Sequence, residues 1–143
     1  MGWPRRFLGL PLHPLLVHFP LVFWLCTPVL DGLAIARQPQ PWWQLALGVT
    51  IAGVAVGAFA VITGLLDYVF LSETASNDVR LAARHGVRTG VVWCAMTVKL
   101  LIVAMSDGGR LLMAVCLIAD LAICALLLQG FYLGTRIVYG DYR

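Results

Sequence analysis

The stretch Leu111–Leu133 reads LLMAVCLIADLAICALLLQGFYL, and Asp120 is its only charged residue. A helix of about 20 apolar residues is long enough to cross the roughly 30 Å hydrocarbon core of a bilayer. Three more apolar runs of this kind precede it, so that candidate spans lie at about 14–36, 43–67, 86–106 and 111–133. We therefore predict four transmembrane spans.

The composition agrees with a membrane protein. Hydrophobic residues make up 61% of the 143 positions, charged residues 12%, and the mean hydropathy is +0.89. A soluble domain is about half apolar and about a quarter charged. Lipid forces each span to satisfy its own backbone hydrogen bonds, and no two-residue alternation suggests a barrel, so helices are expected. We predict an all-α integral membrane four-helix bundle over residues 1–143, a single domain with up-down-up-down topology.

The basic residues predict the orientation. Most arginines lie near the two termini and in the connection between spans two and three: Arg5, Arg6, Arg80, Arg84, Arg88, Arg136 and Arg143. The other side of the membrane holds Arg37 and Arg110. Cytoplasmic loops carry an excess of Lys and Arg, so both termini are expected in the cytoplasm. We therefore interpret the net charge of +3 as part of the signal for membrane orientation. The sequence has no nucleic-acid-binding motif, so we predict no nucleic-acid partner.

Histidines at one membrane face are the candidate site. His13 and His18 open the first span within residues 12–20, LHPLLVHFP, and His85 begins the third. Counting about 1.5 Å per residue along each helix puts His18 and His85 at similar depth. Helices one and three are adjacent or diagonal, and a diagonal of roughly 11–14 Å between axes suits two imidazoles with an iron between them. We predict haem b held by His18 and His85.

The surroundings of these histidines leave alternatives open. Arg84, Arg88 and Arg136 fall at the same face and are candidates to pair with haem propionates. His13 lies roughly 140° around the helix from His18, which favours a supporting or purely interfacial role. An interfacial histidine can also simply bind headgroups, water or a carboxylate.

Lys99 and Asp120 are the other predicted pair. They lie at matching depth in spans three and four, and charges inside a membrane usually pair within the bundle. Asp31, near the far end of span one, is a competing partner for Lys99. The alternative is a Lys99 side chain that snorkels to the interface.

Small residues four apart predict helix contact faces. Such pairs occur as Gly53-x-x-x-Gly57, Gly86-x-x-x-Gly90 and Gly130-x-x-x-Gly134. The cysteines all lie inside spans without Cys-x-x-Cys spacing, and they are interpreted as packing residues.

The stretch LHPLLVHFP at 12–20 resembles the opening signature of domain of unknown function 2231, a bacterial family of small four-helix predicted membrane proteins. Further segments agree in order: Asp31 within LDGL at 30–33, TGLLDY at 63–68, RHG at 84–86 and GFYLGTRIVY at 130–139. The resemblance implies a multi-pass protein of the bacterial inner (cytoplasmic) membrane. Family members are uncharacterised or suspected of binding haem, and some carry a fused Rieske domain, which implies electron transfer. This chain departs at 139–142, YGDY, where relatives often have a tyrosine followed by a His-Gly pair.

Two functions follow as hypotheses. The first is a haem b-binding electron-transfer module or subunit, which implies lipid contact and a redox partner or other membrane subunits. The second is a non-catalytic accessory subunit that packs against a larger membrane complex through its glycine faces. A proton-linked transporter using Lys99 and Asp120 lacks the broken-helix repeats usual for transporters. With no hydrolase triad, phosphate loop or dinucleotide fingerprint, a stand-alone enzyme is disfavoured.

Overall fold

The computed structural model describes residues 6–7, 10–37, 39–71, 76–106 and 108–139. Two short antiparallel strands, β1 (Arg6–Phe7) and β2 (Leu10–Pro11), precede the helices. The helices described are α1 (Leu12–Leu16), α2 (His18–Ala36), α3 (Pro39–Leu71), α4 (Ser76–Ala104) and α5 (Arg110–Tyr139). The predictions made for Arg5, Arg143 and residues 140–142 lie outside the described residues.

Within the described residues, four helical stretches are long and apolar enough to cross a membrane. They are Leu12–Ala36, Pro39–Val69, Val79–Ala104 and Arg110–Tyr139. This confirms the all-helical class and the four spans. The predicted apolar runs 86–106 and 111–133 lie largely within α4 and α5, and these helices continue beyond them, α4 back to Ser76 and α5 on to Tyr139. A hydropathy run marks the part of a helix inside hydrocarbon, whereas the hydrogen-bonded helix continues into the interface.

The first span consists of two helices, α1 and α2, that meet at Val17. Pro20 explains the junction, since it has no N–H to offer the carbonyl of Leu16 and its ring clashes with that carbonyl. The chain keeps its direction across the junction. The Val17 N–H donates to the His13 carbonyl at 3.1 Å, and the Leu21 N–H donates to the Val17 carbonyl at 3.3 Å.

The four long helices form a ring in which each contacts two others. Contacts join α2 to α3, α3 to α4, α4 to α5 and α5 back to α2, while α1 packs on α3. The core between them is apolar and consists of Trp24, Val92, Met96 and Leu127. Spans one and three are therefore diagonal in the bundle.

Glycines bring α3 close to the core tryptophans. A Cβ at Gly57 would lie 2.9 Å from Cδ1 of Trp93 and 3.1 Å from Cη2 of Trp24. A Cβ at Gly53 would collide with the indole nitrogen of Trp24. The predicted contact face of Gly53 and Gly57 is thus confirmed, because neither position has room for a side chain.

The other two glycine pairs differ from each other. A Cβ at Gly130 would lie 3.0 Å from Cγ2 of Thr89, so α5 approaches α4 closely there. Gly86 and Gly90 have no such neighbour within 4 Å. These two glycines therefore make no close helix contact within the bundle, and their predicted contact face stays a prediction.

Candidate functional site

His13 is held against α3 by a hydrogen bond and by a glycine. Its Nδ1 lies 2.9 Å from the Ala60 carbonyl oxygen, and the hydroxyl of Thr63 lies 3.5 Å from the same nitrogen. A Cβ at Gly64 would lie only 2.6 Å from Cε1 of the ring. Gly64 therefore provides the space in which the imidazole lies.

His85 is held against α5 by the same kind of contacts. Its Nδ1 lies 2.8 Å from the Gly130 carbonyl oxygen. A Cβ at Gly134 would lie 3.0 Å from Cε1 of the ring. Each histidine thus has a backbone carbonyl as partner and a glycine against its ring, on two different helices.

The two imidazoles lie next to each other in the bundle, in an edge-to-face arrangement. Their ring centroids lie 6.2 Å apart, with planes at 81°. A carbonyl oxygen can only accept, so Nδ1 carries the proton in each neutral ring and Nε2 keeps its lone pair. Two imidazole nitrogens at about 2.0–2.1 Å from one metal ion place the ring centroids about 6 Å apart. The spacing and tautomers both suit a shared metal centre.

The histidine that approaches His85 is not the predicted one. His18 lies on the outer surface of the bundle, with its ring centroid 6.5 Å from that of Phe131. A depth count places a residue along the helix axis but does not say which way its side chain points. The side covered by Ala60 and Gly64 is the side of His13, so the structure brings His13, and not His18, next to His85, while the haem pair of His18 and His85 stays a prediction.

The predicted arginines lie at or near the surface of the same region. Arg84 is exposed, and Arg88 is half-buried with its Nη1 donating to the Arg84 carbonyl at 3.3 Å. Arg88 also lines an open groove with Gln129 and Tyr132 between α4 and α5. Arg136 is half-buried near the end of α5. Their pairing with propionates stays a prediction.

The number of possible protein ligands near the two histidines limits the kind of metal site that they can form. In the part of the chain that the structure describes, no group of three or more His, Cys, Asp or Glu is placed to hold a metal ion. A structural zinc site takes four protein ligands and a catalytic one takes three. Haem iron needs only axial ligands from the protein, because the porphyrin supplies the rest. Two imidazoles are thus too few for either kind of zinc site, whereas a haem would need no further protein ligand.

A second polar cluster joins three helices away from the histidines. Lys99 Nζ on α4 lies 2.6 Å from Asp120 Oδ2 on α5 and 2.9 Å from Asp31 Oδ2 on α2. Both aspartates are 0% exposed. Asp120 is the predicted partner of Lys99 and Asp31 the competing one, and the structure brings both carboxyl groups to the Lys99 ammonium. We call these three residues the charged triad.

Each carboxylate of the charged triad has one oxygen without a hydrogen bond. Asp31 Oδ1 and Asp120 Oδ1 are buried and have no partner. A small cavity of ≈ 10 Å³ adjoins Asp31 and Lys99 and is also lined by Trp43 and Thr50. Buried carboxylate oxygens normally accept hydrogen bonds, so these two are exceptions that call for an explanation.

The family model for a predicted membrane protein (DUF2231) matches residues 9–142. The chain belongs to the DUF2231 family. No curated protein and no solved structure matches it.

Segments that carry the resemblance to DUF2231 surround the two histidines. Gly64 belongs to the segment at 63–68 and contacts His13, while Gly130 and Gly134 belong to the segment at 130–139 and contact His85. Gly64 was the feature of the sequence that could have indicated His13, since a glycine opposite a histidine makes room for its ring. Asp31 had a signal too, because a buried carboxylate at the depth of Lys99 needs a cation.

Proposed function

We propose that this chain is a haem b-binding membrane electron-transfer module in which His13 and His85 would hold the haem. The observation that carries the proposal is the adjacent pair of imidazoles, 6.2 Å between centroids, each with Nδ1 on a backbone carbonyl. A hydrogen bond from the remote ring N–H is what metal-ligating histidines usually have, because it fixes the tautomer and raises the basicity of the ligating nitrogen. A haem bound there would supply one-electron redox chemistry.

The protein's own contribution would be positioning. The Ala60 and Gly130 carbonyls orient the two rings, and Gly64 and Gly134 let those rings lie close to the helix backbones. We assign Arg84, Arg88 and Arg136 the pairing of propionates, because guanidinium groups bind carboxylates through two parallel hydrogen bonds.

We also propose the membrane placement. The chain lies in the bacterial inner membrane as an up-down-up-down bundle with both termini and the histidine pair at the cytoplasmic side. The arginine bias supports this orientation, since Arg80, Arg84, Arg88 and Arg136 all lie toward that side. Reporter fusions at the end of the chain and in the connection at 107–109 would test it, with a cytoplasmic signal expected only for the first.

Absorption spectroscopy of the purified protein tests the haem proposal. The full chain, expressed with haem supply and purified in detergent, should show a Soret band, a reduced spectrum with dithionite and a pyridine haemochrome of b type. His13→Ala and His85→Ala should each lose the haem. His18→Ala is the matched control, five residues from His13 and on the outer surface, and it should keep the full spectrum.

Two results would contradict this assignment. A colourless wild-type protein that is folded in detergent would exclude haem b. Loss of haem in His18→Ala with retention in His13→Ala would restore the predicted pair of His18 and His85 and reject the one proposed here.

A second candidate function is an accessory subunit of a larger membrane complex. The observation that favours it is the open glycine face of Gly86 and Gly90, where a Cβ meets nothing within 4 Å. Small residues of this spacing let a neighbouring transmembrane helix approach closely. The discriminating experiment is purification from the native membrane. Gly86→Leu should then release co-purifying subunits, and a haem-bound chain that purifies alone would argue against this role.

A further inference from the structure

The charged triad has an imbalance of charge. One Lys99 ammonium faces the carboxyl groups of Asp31 and Asp120, so three ionised groups would leave one negative charge in the membrane interior. An uncompensated buried charge is strongly unfavourable, and buried groups neutralise instead. The triad therefore needs one more positive charge, and a proton is the smallest that fits.

The unpartnered oxygens indicate where that proton can lie. Asp31 Oδ1 and Asp120 Oδ1 are buried without any hydrogen-bond partner. An ionised carboxylate wants donors on both oxygens, whereas a protonated carboxyl group has a hydroxyl that can itself donate. A proton on one of the two removes both the excess charge and one of the unmet acceptors.

The geometry favours Asp31 as the protonated group. Both carboxylates contact Nζ, Asp31 at 2.9 Å and Asp120 at 2.6 Å, and both contacts are short enough for an ionised acceptor. Asp31 lines the cavity of ≈ 10 Å³, which is close to the space that one water molecule requires. The cavity thus gives Asp31, and not Asp120, a space beside its carboxyl group.

We propose that the charged triad is a proton-binding site, in which Asp31 takes up one proton from the aqueous phase while Asp120 stays paired with Lys99. Loading transfers H⁺ from hydronium to a carboxylate oxygen, forms one O–H bond and leaves water, with no electron transfer. No partner ion or further reactant is required.

Other groups packed around Asp31 do not supply the missing charge. The cavity wall from α3 contains Trp43 and Thr50, which are neutral, and the Thr50 hydroxyl donates to the Ala46 carbonyl at 2.7 Å. Cys116 and Cys124 flank Asp120 on α5 as buried thiols. Lys99 is thus the cation that faces the two aspartates among the described residues.

The cavity suggests the route by which the proton arrives. It is lined by residues of α2, α3 and α4 that lie toward the start of α3. Toward the histidines, the core of Trp24, Val92, Met96 and Leu127 is apolar and buried. The proton is therefore exchanged through the side of Trp43 and Thr50 and not through the centre of the bundle.

Infrared spectroscopy of the full chain in detergent at neutral pH tests the site. The wild type should show the carbonyl stretch of one protonated carboxylic acid, shifted by transfer into D₂O. Asp31→Asn should abolish the band, and so should Asp120→Asn, because a single carboxylate then balances Lys99. Lys99→Met should double it, since both aspartates must then be neutral. Asp67→Asn, at the other end of α3, is the control and should leave it unchanged.

The outcomes separate this proposal from its rivals. A folded wild-type protein without the band overturns it, whatever the variants do. A protein that lacks the band but is stabilised by added Na⁺ would show that a metal cation supplies the charge, and this also overturns it. For the route, Thr50→Val should slow the D₂O shift relative to Thr97→Val, a threonine on α4 that likewise donates to a helix carbonyl. Equal rates would reject the route.

Discussion

Gly64→Ala is the most direct test of how the histidine site is built. The added Cβ would lie 2.6 Å from Cε1 and 2.9 Å from Nδ1 of His13, both far inside ordinary contact. The ring must move, and it is held there by the 2.9 Å hydrogen bond from Nδ1 to the Ala60 carbonyl. Overpacking costs about 1–3 kcal/mol, and the loss of a hydrogen bond costs about 0.5–1.5 kcal/mol.

The matched control for this substitution is Gly86→Ala. It also lies within a long helix, but an added Cβ there meets nothing within 4 Å. Both variants gain the same helix propensity of about 1 kcal/mol, so the difference between them isolates the displaced ring. We expect Gly64→Ala to be less stable than Gly86→Ala by about 1.5–4.5 kcal/mol, the sum of the two costs.

Reversible unfolding in mixed micelles, followed by circular dichroism, measures this difference. If haem is present, Gly64→Ala should also release it at lower denaturant than Gly86→Ala does. Equal stability of the two variants would refute the close contact between Gly64 and His13, and with it the placement of the ring.

Three further predictions use the same kind of measurement. Gly134→Ala should lose less stability than Gly64→Ala, because the added Cβ is 3.0 Å from the His85 ring, and an equal loss would contradict the difference in clearance. Gly53→Ala should be destabilised relative to Gly48→Ala in thermal melts, since only the first collides with Trp24. Lys99→Met should lower stability by up to about 3–5 kcal/mol, the cost of breaking a buried pair in soluble proteins, and by less in a membrane. The double variant Lys99→Met/Asp120→Leu should recover only part of this stability. Full recovery should require Asp31→Leu as a third substitution. Full recovery in the double variant would show that Asp31 is not a partner of Lys99.

The fold was predictable because lipid leaves few options. Four apolar runs without alternation can only be helices in a bilayer, and four helical spans are what the described residues contain. Hydropathy alone does not give the helix ends. Ser76 and Tyr139 lie in polar or mixed sequence, where hydropathy no longer distinguishes a helix from a loop.

The sequence predicted how deep in the bundle the candidate residues lie, but not to which side of the helix each side chain points. Counting residues brought Lys99 and Asp120 to one level, and there the three-dimensional contact agrees. The same count could not choose between His13 and His18, because the choice depends on which side of the helix is covered by a neighbour. That neighbour is α3, whose Ala60 and Gly64 lie 47 or more positions after His13 in the chain.

The separation of the two polar clusters bears on how they can interact. His85 and Lys99 lie on the same helix, fourteen positions apart in the sequence, which at 1.5 Å per residue is about 21 Å along the axis. At an effective dielectric constant of about 20, one unit charge acts on another at this distance with about 0.8 kcal/mol. That energy changes an equilibrium by about fourfold, given RT of about 0.6 kcal/mol. A proton taken up by Asp31 would therefore favour an added electron at the histidines only weakly. Between the two clusters, no polar path for a proton is provided by the buried Trp24, Met96 and Leu127. The histidine pair proposed for redox chemistry and the charged triad proposed for proton binding would therefore act nearly independently.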